Sequence, residues 1–245
     1  MSEKIIKCKT RVQKHGEVFT PIRIVKQMLD QPGVKEACEN LTSTFLEPAV
    51  GEGVFLVEIL ERKLKMVARD YNKSLEHFEN YSLLALSTIY GVELLEDNTQ
   101  ACVMNIYLKF YNHYKEQAHK HNGKIKQKVL NSANKIIALN IANGNFLTRK
   151  SVNGEPIIFS KWEPENLRKN TKNITVQRTE YTLDEIYENV EKSNGQILKS
   201  KPPSAEQMNI FSFLDQDVDQ EEQFVEMKYV PVQITDVYKE EMEEV

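Results

Sequence analysis

The apolar positions of the chain change period several times, and each change marks an element. Residues 18–29 place Ile22, Val25, Met28 and Leu29 three and four apart, which predicts a short helix with Pro21 in its first turn and Pro32-Gly33 closing it. Thr44 to Glu47 is a compact apolar run ending in an acid. The small-residue turn Pro48 to Gly53 follows, and Phe55, Leu56, Ile59, Leu60, Leu64 and Val67 return at helical period, so this stretch reads as strand, tight loop, helix. Residues 68–82 read as a polar loop. Ser87 to Glu93 is a second β-rich run that again ends in an acid, and Asp97 opens a helix whose apolar stripe is Ala101, Met104, Leu108 and Tyr111. After a basic connector from His119 to Lys128, Ile136 to Ile141 is expected as a third strand, with Ala142 to Asn145 as a polar turn before Phe146 and Leu147.

Strands alternating with helices require crossovers, so the expected fold class is α/β with a parallel sheet. The rhythm stops near residue 165. From Glu165 to Lys201 a single helical patch remains (Leu183, Ile186, Tyr187, Val190), and the rest is acidic and Gln-rich, so residues 1–165 are expected to form the domain and 166–245 an acidic, loosely structured segment. Charge follows the same division: residues 1–170 hold 25 basic and 19 acidic side chains, residues 171–245 hold 7 and 17. A basic front half permits a nucleic-acid partner and an acidic tail a protein one. No run approaches the ~20 apolar residues of a bilayer span and no signal-like apolar stretch follows the first ten residues, so the expectation is a cytoplasmic protein without a membrane partner. Cys8, Cys38 and Cys102 lack metal-ligand spacing, and the histidines form no defensible ligand set or triad, so no metal is expected.

Ligands of open parallel sheets bind beyond the carboxyl ends of the strands. Three stretches fall there: Glu47 to Gly53, Glu93, and Asn143 to Asn145. In EPAVGEGVF, Gly51 and Gly53 leave room for a ligand against the backbone, next to a helix N-terminus with free N–H groups. Glu93 at the tip of the second strand offers two acceptor oxygens to a ribose, against the commoner fate of a solvated acid. A dinucleotide fingerprint would need a third glycine where Leu56 stands and an acid about 20 residues on; Glu93 is twice that distance away, which disfavours NAD.

These residues resemble the adenine-specific DNA methyltransferases that use S-adenosylmethionine, in the order where the cofactor motifs precede the catalytic one. HGEVFTP (His15 to Pro21) is similar to the family's N-terminal motif, FLEPAVGEGVFL (Phe45 to Leu56) to its glycine loop, YGVELLEDN (Tyr90 to Asn98) to its ribose-binding strand end, and NGNFL (Asn143 to Leu147) to its adenine-contacting turn. The resemblance spans residues 14–150 and implies a Rossmann-like methyltransferase sheet. It implies that Phe19, Thr20 and Pro21 lie over the methionine end, that Glu47, Ala49, Gly51 and Gly53 line the amino-acid part, that Glu93 holds the ribose, and that Asn145, beside Phe146, meets the adenine amine.

Two departures stand out. The family usually has Asp at the position of Asn145, whose oxygen still accepts a hydrogen bond but without charge assistance. The catalytic tetrapeptide, Asn-Pro-Pro-Tyr or Asp-Pro-Pro-Tyr on the next strand, does not occur: Lys201-Pro202-Pro203-Ser204 lacks amide and aromatic, Trp162-Glu163-Pro164 has the wrong order, and Ile157 to Ser160 offers only a serine hydroxyl. The catalytic residues are therefore unassigned and the sheet is expected to be incomplete. Two functions stay open: a DNA adenine methyltransferase-like protein of restriction–modification type whose partner supplies the catalytic motif, and a non-catalytic S-adenosylmethionine-binding accessory or regulatory protein. Trp162 is more in keeping with packing than with base stacking, and Lys120 to Lys128 with a solvated loop than with a DNA contact. Gln207, Ile210 and Phe211 resemble the short peptides that dock on the bacterial DNA sliding clamp.

Overall fold

The structure is a computed structural model that describes residues 7–168, 171–198 and 227–245. Its elements in chain order are α1 (Lys9–His15), α2 (Ile22–Leu29), α3 (Val34–Cys38), β1 (Phe45–Glu47), α4 (Val54–Asp70), α5 (Leu75–Leu86), β2 (Ile89–Glu93), α6 (Glu96–Lys120), α7 (Gln127–Asn140), β3 (Ile141–Asn145), β4 (Lys150–Ser151), β5 (Ile158–Pro164), β6 (Thr175–Thr182) and α8 (Leu183–Tyr187). After residues 199–226 come β7 (Met227–Tyr229), β8 (Val232–Gln233), a 3-10 helix (Ile234–Lys239) and β9 (Met242–Glu244).

The fold is α/β. β1, β2 and β3 are parallel, with Leu46 opposite Tyr90 and Glu93 opposite Asn143, and β4 closes the far edge antiparallel to β3. Because the strands share a direction, Glu47, Glu93 and Asn145 emerge at one end of the sheet. Helices α4 to α7 cover one face, packing Leu56, Leu60, Leu64, Phe78, Leu84, Phe110 and Ile137 against Ile89 and Ile141. The other face, at Tyr90, Val92 and Ala142, is met by Ile157, Phe159 and Leu183 from the β5–β6 hairpin and α8.

Several expectations are corrected. Of residues 68–82, expected as loop, 68–70 belong to the end of α4 and 75–82 to α5, which Ser74 starts, its hydroxyl accepting from the His77 N–H. The polar members of α5 are core members: Glu79 accepts from the Tyr114 hydroxyl at 2.6 Å and from Lys126 at 2.7 Å, and Asn80 accepts from the Ile174 N–H at 2.9 Å. A helix buried on all sides shows no polar face to reveal its period. Ile136 and Ile137 belong to the end of α7, where Val129, Leu130 and Ala133 precede them at helical spacing, and the strand begins only at Ile141, so that Asn143 to Asn145 lie within β3. Along α6 the buried stripe is Cys102, Ile106, Phe110 and Tyr114, while Met104 and Leu108 face outward.

Regular structure does not stop near residue 165. β5, β6 and β8 form an antiparallel sheet, Ile234 donates to the Ile174 carbonyl at 2.9 Å, and Ile234 and Val237 are buried in the main core. The connector lysines are partly tied down, Lys126 by Glu79 and Lys128 by Asp236 at 3.1 Å. Gln207 to Phe211 and Pro202-Pro203 lie outside the described residues. Among the described residues no helix is long and apolar enough to cross a membrane.

One buried cation holds the approach to β1. Lys63 of α4 has no exposed surface, and its ammonium donates to the carbonyls of Asn40 at 2.7 Å and Ser43 at 2.9 Å. Burial pulls its pKa down to about 8. A lysine depressed in the folded state weighs against folding below that value, and the penalty fades as pH rises from about 8 towards the ordinary lysine range. Urea unfolding of the wild type and Lys63→Met across pH 8 to 10.5 should therefore show the wild type gaining stability relative to the variant, by about 3 kcal/mol at most. A difference that stays flat with pH would show that Lys63 titrates normally.

Candidate functional site

A cavity of about 400 Å³ opens at the carboxyl ends of the three parallel strands, between Gly16 to Phe19, the Pro48 to Gly51 turn, Glu93 to Leu95 with Asn98, and Gly144 to Leu147. That size is ordinary for a small-molecule site. The cavity gathers Phe19, Ala49, Gly51, Glu93, Asn145 and Phe146 from stretches far apart in sequence. Thr20, Pro21, Glu47 and Gly53 are not among its lining residues.

Glu93 organises the floor. Its carboxylate is buried, with Oε2 accepting from the Gly51 N–H at 2.7 Å and Oε1 from the Leu95 N–H at 3.0 Å. The loop after β1 and the start of α6 are thus fixed by one side chain at the end of β2. Gly51 itself has φ +55°, the left-handed conformation that glycine adopts without strain. Gly53 has a different reason: a Cβ there would come within 2.8 Å of the Cys102 sulfur, so this glycine lets α4 and α6 close on each other.

Asn143 and Asn145 secure the third side. The Asn143 amide donates to the carbonyls of Glu93 at 2.8 Å and Leu94 at 3.2 Å, clamping the end of β3 to that of β2. Asn145 Oδ1 accepts from the Leu147 N–H at 2.9 Å and the Thr148 N–H at 3.3 Å, which shapes the Phe146–Leu147 turn and occupies both acceptor positions of that oxygen. In this geometry Asn145 forms the wall of the cavity rather than presenting a free acceptor to it. Glu47 lies beside the cavity, half-buried; burial raises its pKa, opposed by a hydrogen bond from the Ala49 N–H.

The cavity's roof was not legible in the sequence. Asn98, buried at the start of α6, donates to Glu17 at 2.6 Å, and Lys7 donates to the Asn98 oxygen at 2.6 Å. Arg11 grips Glu17 with two hydrogen bonds of 2.6 and 2.7 Å and reaches Asp97 at 2.8 Å, while Lys7 also pairs with Glu52 and Asp97. None of Lys9 to Lys14 in α1 is buried, so charge contacts rather than packing hold that helix over the site. Glu17, Asp97 and Asn98 fall within the stretches HGEVFTP and YGVELLEDN, but nothing in the sequence pairs them with Lys7 or Arg11.

Serine and tryptophan of the β5 strand are placed elsewhere. Ser160 is buried, its hydroxyl accepting from Arg178 Nε at 2.9 Å, and Trp162 packs in the core with its indole N–H directed to Asn140 at 3.4 Å. Neither lines the cavity, so Ser160 does not serve there as a substitute proton acceptor.

The Arg11 guanidinium, aided by Asn98, lowers the Glu17 pKa, and Arg11 with Lys7 holds Asp97 down at about 2. Carboxylates depressed in this way favour the docked helix above the ordinary carboxylate range and release it as pH falls through their lowered values. Hydrogen exchange should show α1 amides losing protection between about pH 4 and 2, and on raising salt at neutral pH, before the β2 amides do. Arg11→Ala should produce the same local loss at neutral pH with little change in global melting; unchanged α1 protection in that variant would show that packing holds the helix.

Comparison with known proteins adds one finding. No curated protein and no solved structure matches the chain. A family model described as N-6 DNA Methylase matches residues 3–173, more than two thirds of the sequence. The matched stretch contains the whole wall of the cavity, from the charged roof to the Asn145 turn, and on that match this chain belongs to the N-6 DNA methylase family.

Proposed function

We propose that the cavity binds S-adenosylmethionine and that the chain is the cofactor-binding part of a restriction–modification DNA adenine methyltransferase, acting in the cytoplasm with a partner that supplies the catalytic strand. The observation that carries this reading is the charge of the cavity wall. Its ionisable lining residues are Glu17 and Glu93, and among the described residues no Lys or Arg lines it. Glu17 is paired by Arg11, so the acid of the wall without a cationic partner among the described residues is Glu93. A pyrophosphate would meet that charge, whereas a nucleoside joined to an ammonium and a sulfonium complements it. The fit is therefore to a positively charged, phosphate-free nucleoside.

When bound, S-adenosylmethionine supplies the methyl group from its sulfonium. The chain's own part is to bind and orient: the Phe19 and Phe146 rings exclude water, the backbone at Gly51 allows close approach, and Glu93 presents its remaining lone pairs to ribose hydroxyls. DNA is the substrate this reading assigns. A neutral exocyclic amine also needs an acceptor on its hydrogens and a surface that stacks the extruded base. Ser160 and Trp162 of β5 do not line the cavity, and this favours the second reading, a non-catalytic accessory protein that senses the cofactor.

Calorimetry on the purified chain should show binding of S-adenosylmethionine. Glu93→Ala should weaken it at least tenfold, since a charged hydrogen-bond partner contributes about 1.5–3 kcal/mol and its loss also frees the Gly51 loop. No heat at ligand concentrations near millimolar would overturn the proposal. Tritiated S-adenosylmethionine with mixed-sequence DNA should give no incorporation above a heat-killed control for the chain alone. Incorporation abolished by Glu93→Ala would show instead that the site is complete within this chain.

A further inference from the structure

The outer face of α6 carries an apolar stripe that the rest of the described chain leaves open. Ala101, Met104, Leu108 and Tyr111 follow one another at spacings of three, four and three, with Asp97 four residues before them and Lys115 four after. All six positions lie on one side of the helix, opposite Cys102, Ile106 and Phe110, which face the core. Met104 is 55% exposed and Leu108 45%, Lys115 is exposed, and Ala101 and Tyr111 are half-buried. Strict alternation of four and three is the narrow seam by which one helix packs along another, whereas the broad face of α6 already serves the core.

Beside the seam runs a groove of about 540 Å³ between α2, α4 and α6, with Ile22, Val54, Val57 and Leu108 among its walls. Its acids are already taken: Glu61 by Lys65 and Lys109, Glu58 by Arg62, and Glu52 by Lys7. The groove therefore suits apolar side chains from a neighbouring helix better than a cationic ligand.

We propose that α6 is a self-association surface, pairing antiparallel with α6 of a second copy of this chain about a two-fold axis. The order of residues along the seam selects this occupant. An axis midway between Met104 and Leu108 sets those two against each other across the pair, Ala101 against Tyr111, and Asp97 against Lys115. Small meets large and acid meets base. Asp97 keeps 54% of its side chain exposed beside Lys7 and Arg11, so it can take a further cation. Parallel pairing would instead set each residue against its own copy, with acid on acid at one end, base on base at the other and two Tyr111 rings crowded between them. The antiparallel arrangement also opposes the two helix macrodipoles, and an isologous pair of this kind closes at two chains. Leu95 and Asn98, at the start of α6, wall the candidate cavity, so the pair carries its two cavities at opposite ends, about 30 Å apart along the helix axis. The inference is independent of what that cavity binds.

Sedimentation velocity on the full chain tests the proposal. Wild type should form a dimer at chain concentrations of about 10–100 μM, the strength expected of a small two-helix interface. Met104→Lys and Leu108→Lys should each weaken it at least tenfold, while Val152→Lys, at a residue 63% exposed on the turn after β4, should leave it unchanged. All three residues are exposed, so the melting curves of the variants should match wild type. Orientation is read by oxidative cross-linking in chains whose exposed Cys8 is replaced by Ser, the other two cysteines being buried. An equimolar mixture of Ala101→Cys and Tyr111→Cys chains should give a disulfide-linked pair. Ala101→Cys alone should give little, because antiparallel pairing leaves the two copies of that residue about 15 Å apart, beyond the reach of a disulfide. A monomer throughout the concentration range, a dimer indifferent to both lysine substitutions, or ready cross-linking of Ala101→Cys to itself would each overturn the proposal.

Discussion

Everything at the carboxyl end of the sheet depends on one buried carboxylate receiving two backbone N–H groups. Glu93 ends β2, the central strand of the parallel three, and its two oxygens reach the loop of the preceding strand at Gly51 and the start of the following helix at Leu95. Charge-assisted bonds of this kind are about twice as strong as neutral ones, and breaking one inside a buried site strands a donor as well. Asn143 fixes the same corner from β3 by holding the Glu93 carbonyl. The cavity is thereby preorganised by the sheet itself, with the side chain expected to contact ligand also serving as the keystone of its own loop.

A second tier of charge surrounds this corner. Asn98 joins Glu17 to the α6 N-terminus, and Lys7 and Arg11 extend the link to Asp97 and Glu52, so the N-terminal segment is attached by polar contacts to the same helix that Glu93 anchors. Two different materials therefore build one site: a floor of buried hydrogen bonds set on strands, and a roof of partly exposed ion pairs. The first is insensitive to salt and the second is not. Such a division lets the roof loosen without disturbing the strands.

The sequence showed the strand ends most clearly because acids and small residues interrupt apolar runs there: Glu47, Glu93 and Asn143 to Asn145 all fall at the carboxyl end of the sheet. It was less informative where tertiary packing overrode local pattern. Ile136 and Ile137 are β-branched, yet the stripe that begins at Val129 carries them into α7. On α6 two apolar stripes are interleaved in sequence, and only contact with α4 and α5 decides that Cys102, Ile106 and Phe110 face inward. β6 had no apolar alternation to reveal it because Gln177, Arg178 and Glu180 interrupt the strand, yet Arg178 is buried between Glu180, Glu240 and the Tyr229 ring. Roles that arise from pairing across the fold, such as Arg11 with Glu17 and Asn98, have no signature in a single stretch.

The close meeting of Gly53 with Cys102 has a consequence for chemical durability. The Cys102 thiol is wholly buried, and burial pushes its pKa up to about 12, so it carries almost no thiolate at cellular pH. Oxidation begins from the thiolate and adds oxygen atoms to sulfur. The space that such oxygens would need on this side is the space denied to a Cβ at Gly53. The junction of α4 and α6, which backs the glycine loop, is therefore shielded from peroxide both by proton affinity and by volume, and the exposed Cys8 is the thiol that oxidants meet first.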